Sequence, residues 1–246
     1  MKKENKSEFK LVETYKEFKE KYNYNDPNHS IYYKFIKRPI SYPLTWLIFK
    51  TNLTPNVLTF LGILSAIISA LFFSSPTYTS AVLGVIFFFI FELFDDFDGI
   101  IARSKNMRSR RGYWLDVLAG DTGRLLVVGG ISVGVFQATA NPLYLILGIL
   151  SLIFLASADN LQHVTKLSFA VVQQRKLTYE EVKPDLKTLA GKISYLAEIA
   201  GNLWFILLFV LGLTNHLLWF VYFNLAYYFA YSLLLFLYLN HKHRME

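Results

Sequence analysis

The apolar residues of this chain fall into long unbroken runs, not into alternating or widely spaced positions. A helix needs about 20 residues to cross the hydrocarbon core of a bilayer, whereas a membrane β-strand needs about 10 residues that alternate in polarity. Six runs have the length and character of membrane helices. They are residues 55–73, 80–102, 112–137, 142–168, 190–213 and 216–240. The pattern therefore predicts an all-α integral membrane protein with six transmembrane helices.

The chain before the first run has a different pattern. Apolar residues recur every three or four positions over residues 8–22, which predicts a short amphipathic helix. Residues 30–50 mix aromatic and aliphatic side chains with lysine and arginine, and Pro39 and Pro43 interrupt them. Such a segment is typical of the membrane interface. We therefore divide the chain into an N-terminal cytoplasmic cap (1–29), an interfacial amphipathic segment (30–50) and a six-helix membrane domain (51–241).

Composition and charge agree with a membrane location. Hydrophobic residues make up 54% of the chain, and the formal net charge is +7. Eleven of the 25 lysine and arginine residues precede the first run, and the loops 74–79, 138–141 and 214–215 contain none. By the positive-inside rule, both termini and the basic loops face the cytoplasm. The excess of basic residues is thus explained by topology and anionic lipid headgroups, and not by binding to nucleic acid.

An acidic cluster lies at the end of the second run, where charge is expensive. Asp95 and Asp98 are three residues apart and share a helix face, whereas Asp96 points about 100° away. Asp116 lies one turn inside the third run. Two neighbouring antiparallel helices would bring Asp95, Asp98 and Asp116 together. Carboxylate oxygens suit Mg²⁺, Mn²⁺ or Ca²⁺ better than zinc, so the cluster predicts a divalent metal site.

Ion pairing could also account for some of these acids. Asp95 or Asp98 could pair with Arg103, one turn further along the same helix. Ion pairs alone do not explain why three acids share matching faces next to Gly99 and Gly112. Carboxylate-bound metals beside glycine and arginine suit a substrate that carries phosphate.

The same residues resemble a known family signature. Asp95-x-x-Asp98-Gly99-x-x-Ala102-Arg103, followed by eight residues and then Gly112-x-x-x-Asp116, is similar to the motif of the CDP-alcohol phosphotransferases. The Thr54-Pro55-Asn56 sequence and the six apolar runs also resemble that family. Thr54 and Pro55 have a structural role as well, as the N-cap and first residue of a helix.

The resemblance implies a reaction and a set of roles. An alcohol hydroxyl attacks the β-phosphorus of a CDP-linked donor, and CMP leaves. One or two Mg²⁺ or Mn²⁺ ions, which Ca²⁺ can replace in the site, lie between the donor diphosphate and Asp95, Asp98 and Asp116. The family is often dimeric, so the resemblance also implies a homodimer. The residues that it assigns to the CDP pocket are Asn56, Gly99, Ala102, Arg103 and Gly112.

One position departs from the family pattern. The last aspartate of the motif, its base or a further metal ligand, corresponds to Gly120, and Asp121 follows immediately. In a regular helix Asp121 points about 100° away from the expected direction. A helical bulge near Gly120 would restore Asp121 to the site. Without a bulge, the base is a different group, the acceptor needs less activation, or the chain is an inactive relative.

Further polar residues occur inside the apolar runs. Glu92 precedes Asp95 by one turn and either supports the metal site or is a neutral, hydrogen-bonded acid. Asp159 and His163 are four residues apart, which fits interhelical hydrogen bonding better than metal binding. An Asp121–Arg124 ion pair is expected from their spacing. Buried polar groups in membrane helices often line functional cavities. The candidates for acceptor binding are Arg124, Asp159, His163, Lys166 and Arg175.

We expect the chain to be a membrane enzyme of phospholipid biosynthesis that transfers a substituted phosphate from a CDP-linked donor to an alcohol. CDP-diacylglycerol is the first choice of donor. A soluble CDP-alcohol with a lipid or glycan acceptor is the second, and the motif does not distinguish them. Two hypotheses from different functional classes stay open, a membrane cation carrier and a catalytically inactive scaffold. Metal-dependent release of CMP separates them.

Overall fold

The computed structural model describes residues 14–22, 32–173 and 203–243, and every regular element within them is a helix. A π-helical turn at Tyr33–Lys37 leads directly into the second helix. The all-α prediction is therefore confirmed. The helices are α1 (Tyr15–Tyr22), α2 (Arg38–Phe49), α3 (Pro55–Phe73), α4 (Tyr78–Ser104), α5 (Arg110–Thr139), α6 (Leu143–Gln173), α7 (Leu203–Leu213) and α8 (Leu217–His243).

Four helical stretches in the described part are long and apolar enough to cross a membrane. They coincide with the first, third, fourth and sixth predicted runs. The second run forms the continuous helix α4, and the last part of the fifth forms the short apolar α7. Six spans thus remain a prediction. The four stretches are Pro55–Phe73, Arg110–Thr139, Leu143–Leu161 and Leu217–Leu237.

The chain divides into two compact units. The first unit comprises Met1–Leu64 and Ile90–Gly120. It therefore contains the start of α3, the end of α4 and the start of α5. The second comprises Ser65–Phe89 and Asp121–Glu246.

In the first unit, α1 packs on α2 through aromatic side chains. Thr14 and Glu17 cap α1 reciprocally, because each side chain accepts a hydrogen bond from the other's backbone N–H, at 3.3 and 3.2 Å. Phe18 is fully buried, and its ring centroid lies 5.3 Å from that of Phe49. This is the C-terminal part of the amphipathic helix expected at 8–22. Residues 8–13 lie outside the described residues.

The prolines of the interfacial segment do not interrupt it, contrary to the sequence-based expectation. Pro39 lies at the point where the π-helical turn passes into α2, and Pro43 lies inside α2. The π-helical turn and α2 run on without a break from Tyr33 to Phe49.

The faces of this continuous helix are reversed relative to those of a helix in a soluble protein. Its buried side carries the polar residues Lys37, Ser41 and Thr45 at four-residue spacing, next to the aromatic Tyr42 and Phe49. Its exposed face is apolar, as suits a helix that lies against lipid. The exposed apolar residues are Phe35, Ile36, Ile40, Leu44 and Leu47.

Local sequence signals set the helix ends around the acidic motif. Asn106 ends α4 in the left-handed conformation (φ 57°), and Met107 N–H donates to Ala102 O at 2.9 Å, as in a Schellman motif. Ser109 begins α5, since its hydroxyl accepts a hydrogen bond from Gly112 N–H at 2.9 Å. Lys105 holds the segment before α3 by donating to Thr51 O and Leu53 O at 2.6 and 3.3 Å. These contacts fix the termini from which the motif residues project.

The second unit is built on close helix packing. A Cβ on Gly130 or Gly134 of α5 would collide with the backbone of Ala70 or Phe73 of α3, so glycine permits this approach. Between α7 and α8, Trp204 Nε1 donates to the buried Asn224 Oδ1 at 2.7 Å.

Candidate active site

The acidic residues at the end of α4 have very different surroundings. The Asp95 side chain is 43% exposed, whereas Asp96 and Asp98 are buried. Asp96 points to a different side of the helix from Asp98, as the spacing predicts. One helical turn thus carries an accessible carboxyl group beside two that are shielded from solvent.

Asp98 is held by a threonine of α3. The Thr59 hydroxyl donates to Asp98 Oδ2 at 2.5 Å, and both residues are buried. The Thr59 oxygen also lies 3.1 Å from Pro55 O, but the carboxylate is the nearer and more strongly charged acceptor. This contact fixes one oxygen of Asp98.

The three aspartates of the motif lie together in the first unit. Asp98 interacts electrostatically with Asp95 and Asp116, and Asp116 interacts with Asp95 and with Arg103. The end of α4 and the start of α5 therefore bring these three residues close together, as the sequence suggests.

A lysine from the π-helical turn reaches the other side of the motif. Lys37 Nζ lies 3.2 Å from Glu92 Oε2, 3.2 Å from Asp96 Oδ1 and 3.6 Å from Asp95 Oδ2. Burial alone would lower the pKa of the Lys37 ammonium, but the carboxyl groups of Asp96, Glu92 and Asp95 raise that pKa well above its ordinary value. Glu92 is therefore ion-paired with Lys37.

The glycines of the motif lie beside polar side chains. The Arg103 guanidinium covers Gly99, where a Cβ would come within 3.2 Å of Arg103 Nη1. A Cβ on Gly112 would lie 3.1 Å from Ser109 Oγ and 3.7 Å from Asn56 Oδ1. Ala102 is half-buried on the same turn of α4 as Arg103. Of the residues assigned to a CDP pocket, Gly99 thus lies beside Arg103 at the end of α4, and Gly112 lies near Asn56 at the start of α5.

The residues around Asp95 suit a hard divalent cation by chemistry. The carboxyl groups of Glu92, Asp96 and the three motif aspartates face two cationic side chains, Lys37 and Arg103, among the described residues. The donors are all oxygens, which Mg²⁺ and Mn²⁺ prefer. No three acidic or histidine side chains in the described part are already arranged as a metal ligand set.

The structure has no bulge at the departure from the family motif. Helix α5 is regular through Gly120 and Asp121, and nothing lies within 4 Å of a Cβ placed on Gly120. Asp121 belongs to the second unit, where its Oδ1 lies 2.7 Å from Arg124 Nη2 and its Oδ2 lies 2.9 Å from His163 Nε2. The expected Asp121–Arg124 ion pair is therefore present, and both oxygens of Asp121 have partners.

The acceptor candidates of α5 and α6 are connected to one another. Arg124 also approaches Asp159, with Nη2 3.1 Å from Oδ1. Asp159 and His163 of α6 thus each pair with α5, which agrees with interhelical bonding and not with a two-residue metal site. The Lys166 side chain and all of Arg175 lie outside the described residues. We call Asp121, Arg124, Asp159 and His163 the α5–α6 cluster.

Two residues of the site were missed by sequence analysis. Thr59 was hidden in an apolar run, although it lies one turn after Pro55 and could have been noticed as a polar residue on the Asn56 side of the helix. Lys37 was counted only among the basic residues of the interfacial segment. Lys37, Ser41 and Thr45 follow one another at intervals of four residues, which places them on one polar face of a helix. That spacing was the available signal for a buried role of Lys37.

Comparison with known proteins identifies a family and a similar fold. The family model described as CDP-alcohol phosphatidyltransferase matches residues 52–197. The fold is similar to that of Mycobacterium tuberculosis phosphatidylinositol phosphate synthase (PgsA1), whose crystal structure has CDP-DAG bound. The TM-score is 0.52 with 16% sequence identity, over 80% of this chain and 94% of that chain. No curated protein matches the chain.

The family match includes α3, α4 and α5, and therefore the motif aspartates, Thr59 and the glycines. It extends over more than half of the sequence. Members of this family are membrane enzymes that transfer a substituted phosphate from a CDP-alcohol. The chain belongs to the CDP-alcohol phosphatidyltransferase family.

Proposed function

We propose that this protein transfers the phosphatidyl group of CDP-diacylglycerol to an alcohol and releases CMP, in a reaction that depends on Mg²⁺ or Mn²⁺. The observation that carries the proposal is the meeting of Asp95, Asp98 and Asp116 beside Arg103 in one compact unit. The CDP-DAG bound to the similar mycobacterial synthase supports this choice of donor.

The first unit supplies the donor site in this proposal. Asp95, Asp98 and Asp116 would hold one or two divalent ions, which Ca²⁺ also suits by its preference for oxygen. A bound divalent ion neutralises a diphosphate and stabilises the charge that develops on CMP. Arg103 would contact a phosphate oxygen, and Gly99 leaves room for its guanidinium. Asn56, Ala102 and Gly112 would complete the CDP pocket.

The transfer itself needs one proton to leave. The acceptor hydroxyl oxygen forms a bond to the β-phosphorus, and the bond from that phosphorus to the CMP oxygen breaks. The hydroxyl proton passes to a base, for which Asp121 is the sequence candidate. Because its oxygens contact Arg124 and His163, its geometry gives more support to a role in organising those two residues.

The α5–α6 cluster is our candidate for acceptor recognition. Arg124 and His163 present nitrogen donors, and Asp159 presents a carboxylate. Ionisable side chains in membrane helices are costly and often functional, which supports a binding role. Lys166 and Arg175 are kept as candidates for a phosphate on the acceptor.

The location and assembly of the enzyme are also proposals. The basic residues before α3 and after α4 support a site on the cytoplasmic side, with both termini in the cytoplasm. The resemblance to the family supports a homodimer. CDP-diacylglycerol and membrane lipids are the proposed partners, and nucleic acid is not.

Release of radiolabelled CMP by the purified full-length protein tests the function. CDP-diacylglycerol and a soluble CDP-alcohol are compared as donors with a panel of alcohol acceptors, with Mg²⁺ or Mn²⁺ and then with EDTA. We expect turnover with CDP-diacylglycerol that EDTA abolishes. Turnover with only the soluble donor overturns the choice of donor. CDP binding without any turnover favours a scaffold, and no nucleotide binding at all favours a cation carrier.

A variant pair tests the proposed ligands. Asp98→Asn should reduce turnover by more than about a hundredfold, since loss of outer-shell partners alone costs about 10- to 100-fold. Glu20→Gln removes an exposed acid of α1 and should keep wild-type turnover. If Asp98→Asn is as active as Glu20→Gln, the metal assignment is wrong.

A further inference from the structure

Lys37 is a buried cation that ties the membrane-interface helix to the acidic motif. Its side chain is 6% exposed, and its ammonium contacts Glu92, Asp95 and Asp96. It is the last residue of the π-helical turn, a rare conformation that is frequent at functional sites.

The three acids have different relations to the proposed donor site. Glu92 and Asp96 are four residues apart and face Lys37, with both distances at 3.2 Å. Asp95 lies between that face and the face that carries Asp98. Its Oδ2 is 3.6 Å from Lys37, and its carboxyl group also interacts with Asp116. Asp95 is thus the residue through which Lys37 can act on the other motif aspartates.

We propose that Lys37 is a positioning residue that orients Asp95 for metal binding and holds Glu92 and Asp96 away from the metal as its own ion-pair partners. This inference rests on the proposed function, because it concerns the same metal site. Outer-shell partners of this kind orient carboxylate ligands, and their loss weakens metal affinity by about 10- to 100-fold.

The sign of the effect separates orientation from simple electrostatics. Removing the positive charge of Lys37 beside Asp95 would also remove its Coulomb repulsion of a divalent cation. This effect alone would make the site bind the cation more tightly. Removing the group that orients Asp95 makes the site bind the cation more weakly. A lysine that serves only to attach α2 to α4 leaves the affinity unchanged.

The experiment measures Mn²⁺ binding directly, by electron paramagnetic resonance of the purified full-length protein. Lys37→Met alone would leave Glu92 and Asp96 buried without a cation, and such variants often fail to fold. We therefore compare Glu92→Gln/Asp96→Asn with the triple variant that also carries Lys37→Met. We expect at least about a tenfold weaker Mn²⁺ affinity in the triple variant. Unchanged or tighter binding overturns the inference.

Two controls locate a failure. Lys34→Met, in the same double background, removes an exposed lysine from the same turn and should leave Mn²⁺ affinity unchanged. Asp98→Asn in the wild-type background should abolish Mn²⁺ binding. If wild type binds Mn²⁺ and Asp98→Asn does not, while Lys37→Met in the double background has no effect, only the inference about Lys37 fails. If wild type binds no Mn²⁺, the metal proposal and this inference fail together.

Discussion

Replacing Thr59 by valine removes the hydroxyl that holds Asp98 while keeping the shape of the side chain. Thr59 Oγ1 lies 2.5 Å from Asp98 Oδ2, and the two residues are 8% and 3% exposed. Water cannot easily take the place of the lost donor at such a site. The substitution therefore tests one contact of the proposed metal site.

The size of the effect follows from the charge of the acceptor. A hydrogen bond to a charged group contributes about 1.5–3 kcal/mol. Because about 1.4 kcal/mol corresponds to a factor of ten, the full bond corresponds to roughly a 10- to 150-fold change. We expect the Mn²⁺ concentration for half-maximal CMP release to rise by that factor, since Asp98 is no longer oriented.

Two further variants make the measurement specific. Thr59→Ser keeps the hydroxyl and should stay close to wild type. Thr45→Val removes a fully buried hydroxyl that bonds only to Ser41 O of its own helix, at 2.6 Å, among the bonds described. If Thr59→Val requires no more Mn²⁺ than Thr45→Val, the bond to Asp98 does not orient a metal ligand and the reasoning is refuted.

Three more substitutions probe the rest of the molecule. Gly120→Ala should not lower the thermal midpoint, because nothing lies within 4 Å of the added Cβ; a clear fall would show that this space is not available. Asp121→Asn should raise KM for the acceptor by about tenfold, because it weakens one hydrogen bond to a charged group, and it should lower kcat much less. A loss of kcat with no change in KM would instead identify Asp121 as the base. Trp204→Phe should lower the thermal midpoint by about 2–10 °C, because Asn224 loses a buried donor worth about 1–3 kcal/mol; an unchanged midpoint would mean that this bond adds nothing to stability.

The helices of this protein follow from sequence because their signals are local. The first run is expected at 55–73, and α3 is Pro55–Phe73, since Pro55 favours the first helical position. Runs of apolar residues define the other long helices in the same way. The end of α4 is less predictable, because it depends on Asn106 adopting a positive φ. Pro43 is misleading, because a proline usually indicates a break in a helix, whereas α2 continues through it to Phe49.

The site follows only in part, because several of its contacts join distant residues. The three motif aspartates are recognisable from spacing along two helices. The partners of Lys37 and Thr59 lie 55 and 39 positions away, and no local pattern specifies such contacts. The same holds for Asp121, whose change of register is visible in the sequence but whose histidine partner is 42 positions away.

The reversed faces of α2 also alter which substitutions this protein can accept. At most exposed positions of a soluble protein a polar residue is harmless, and at most buried positions it is damaging. Here Ile40 and Leu44 are exposed but face the side suited to lipid, where a charged residue would be costly. Ser41 is buried but lies on the polar side against Asp96, where an apolar residue would sit beside an ion pair of the motif. Solvent exposure is therefore the wrong guide to mutational tolerance along this helix, and chemical character is the right one.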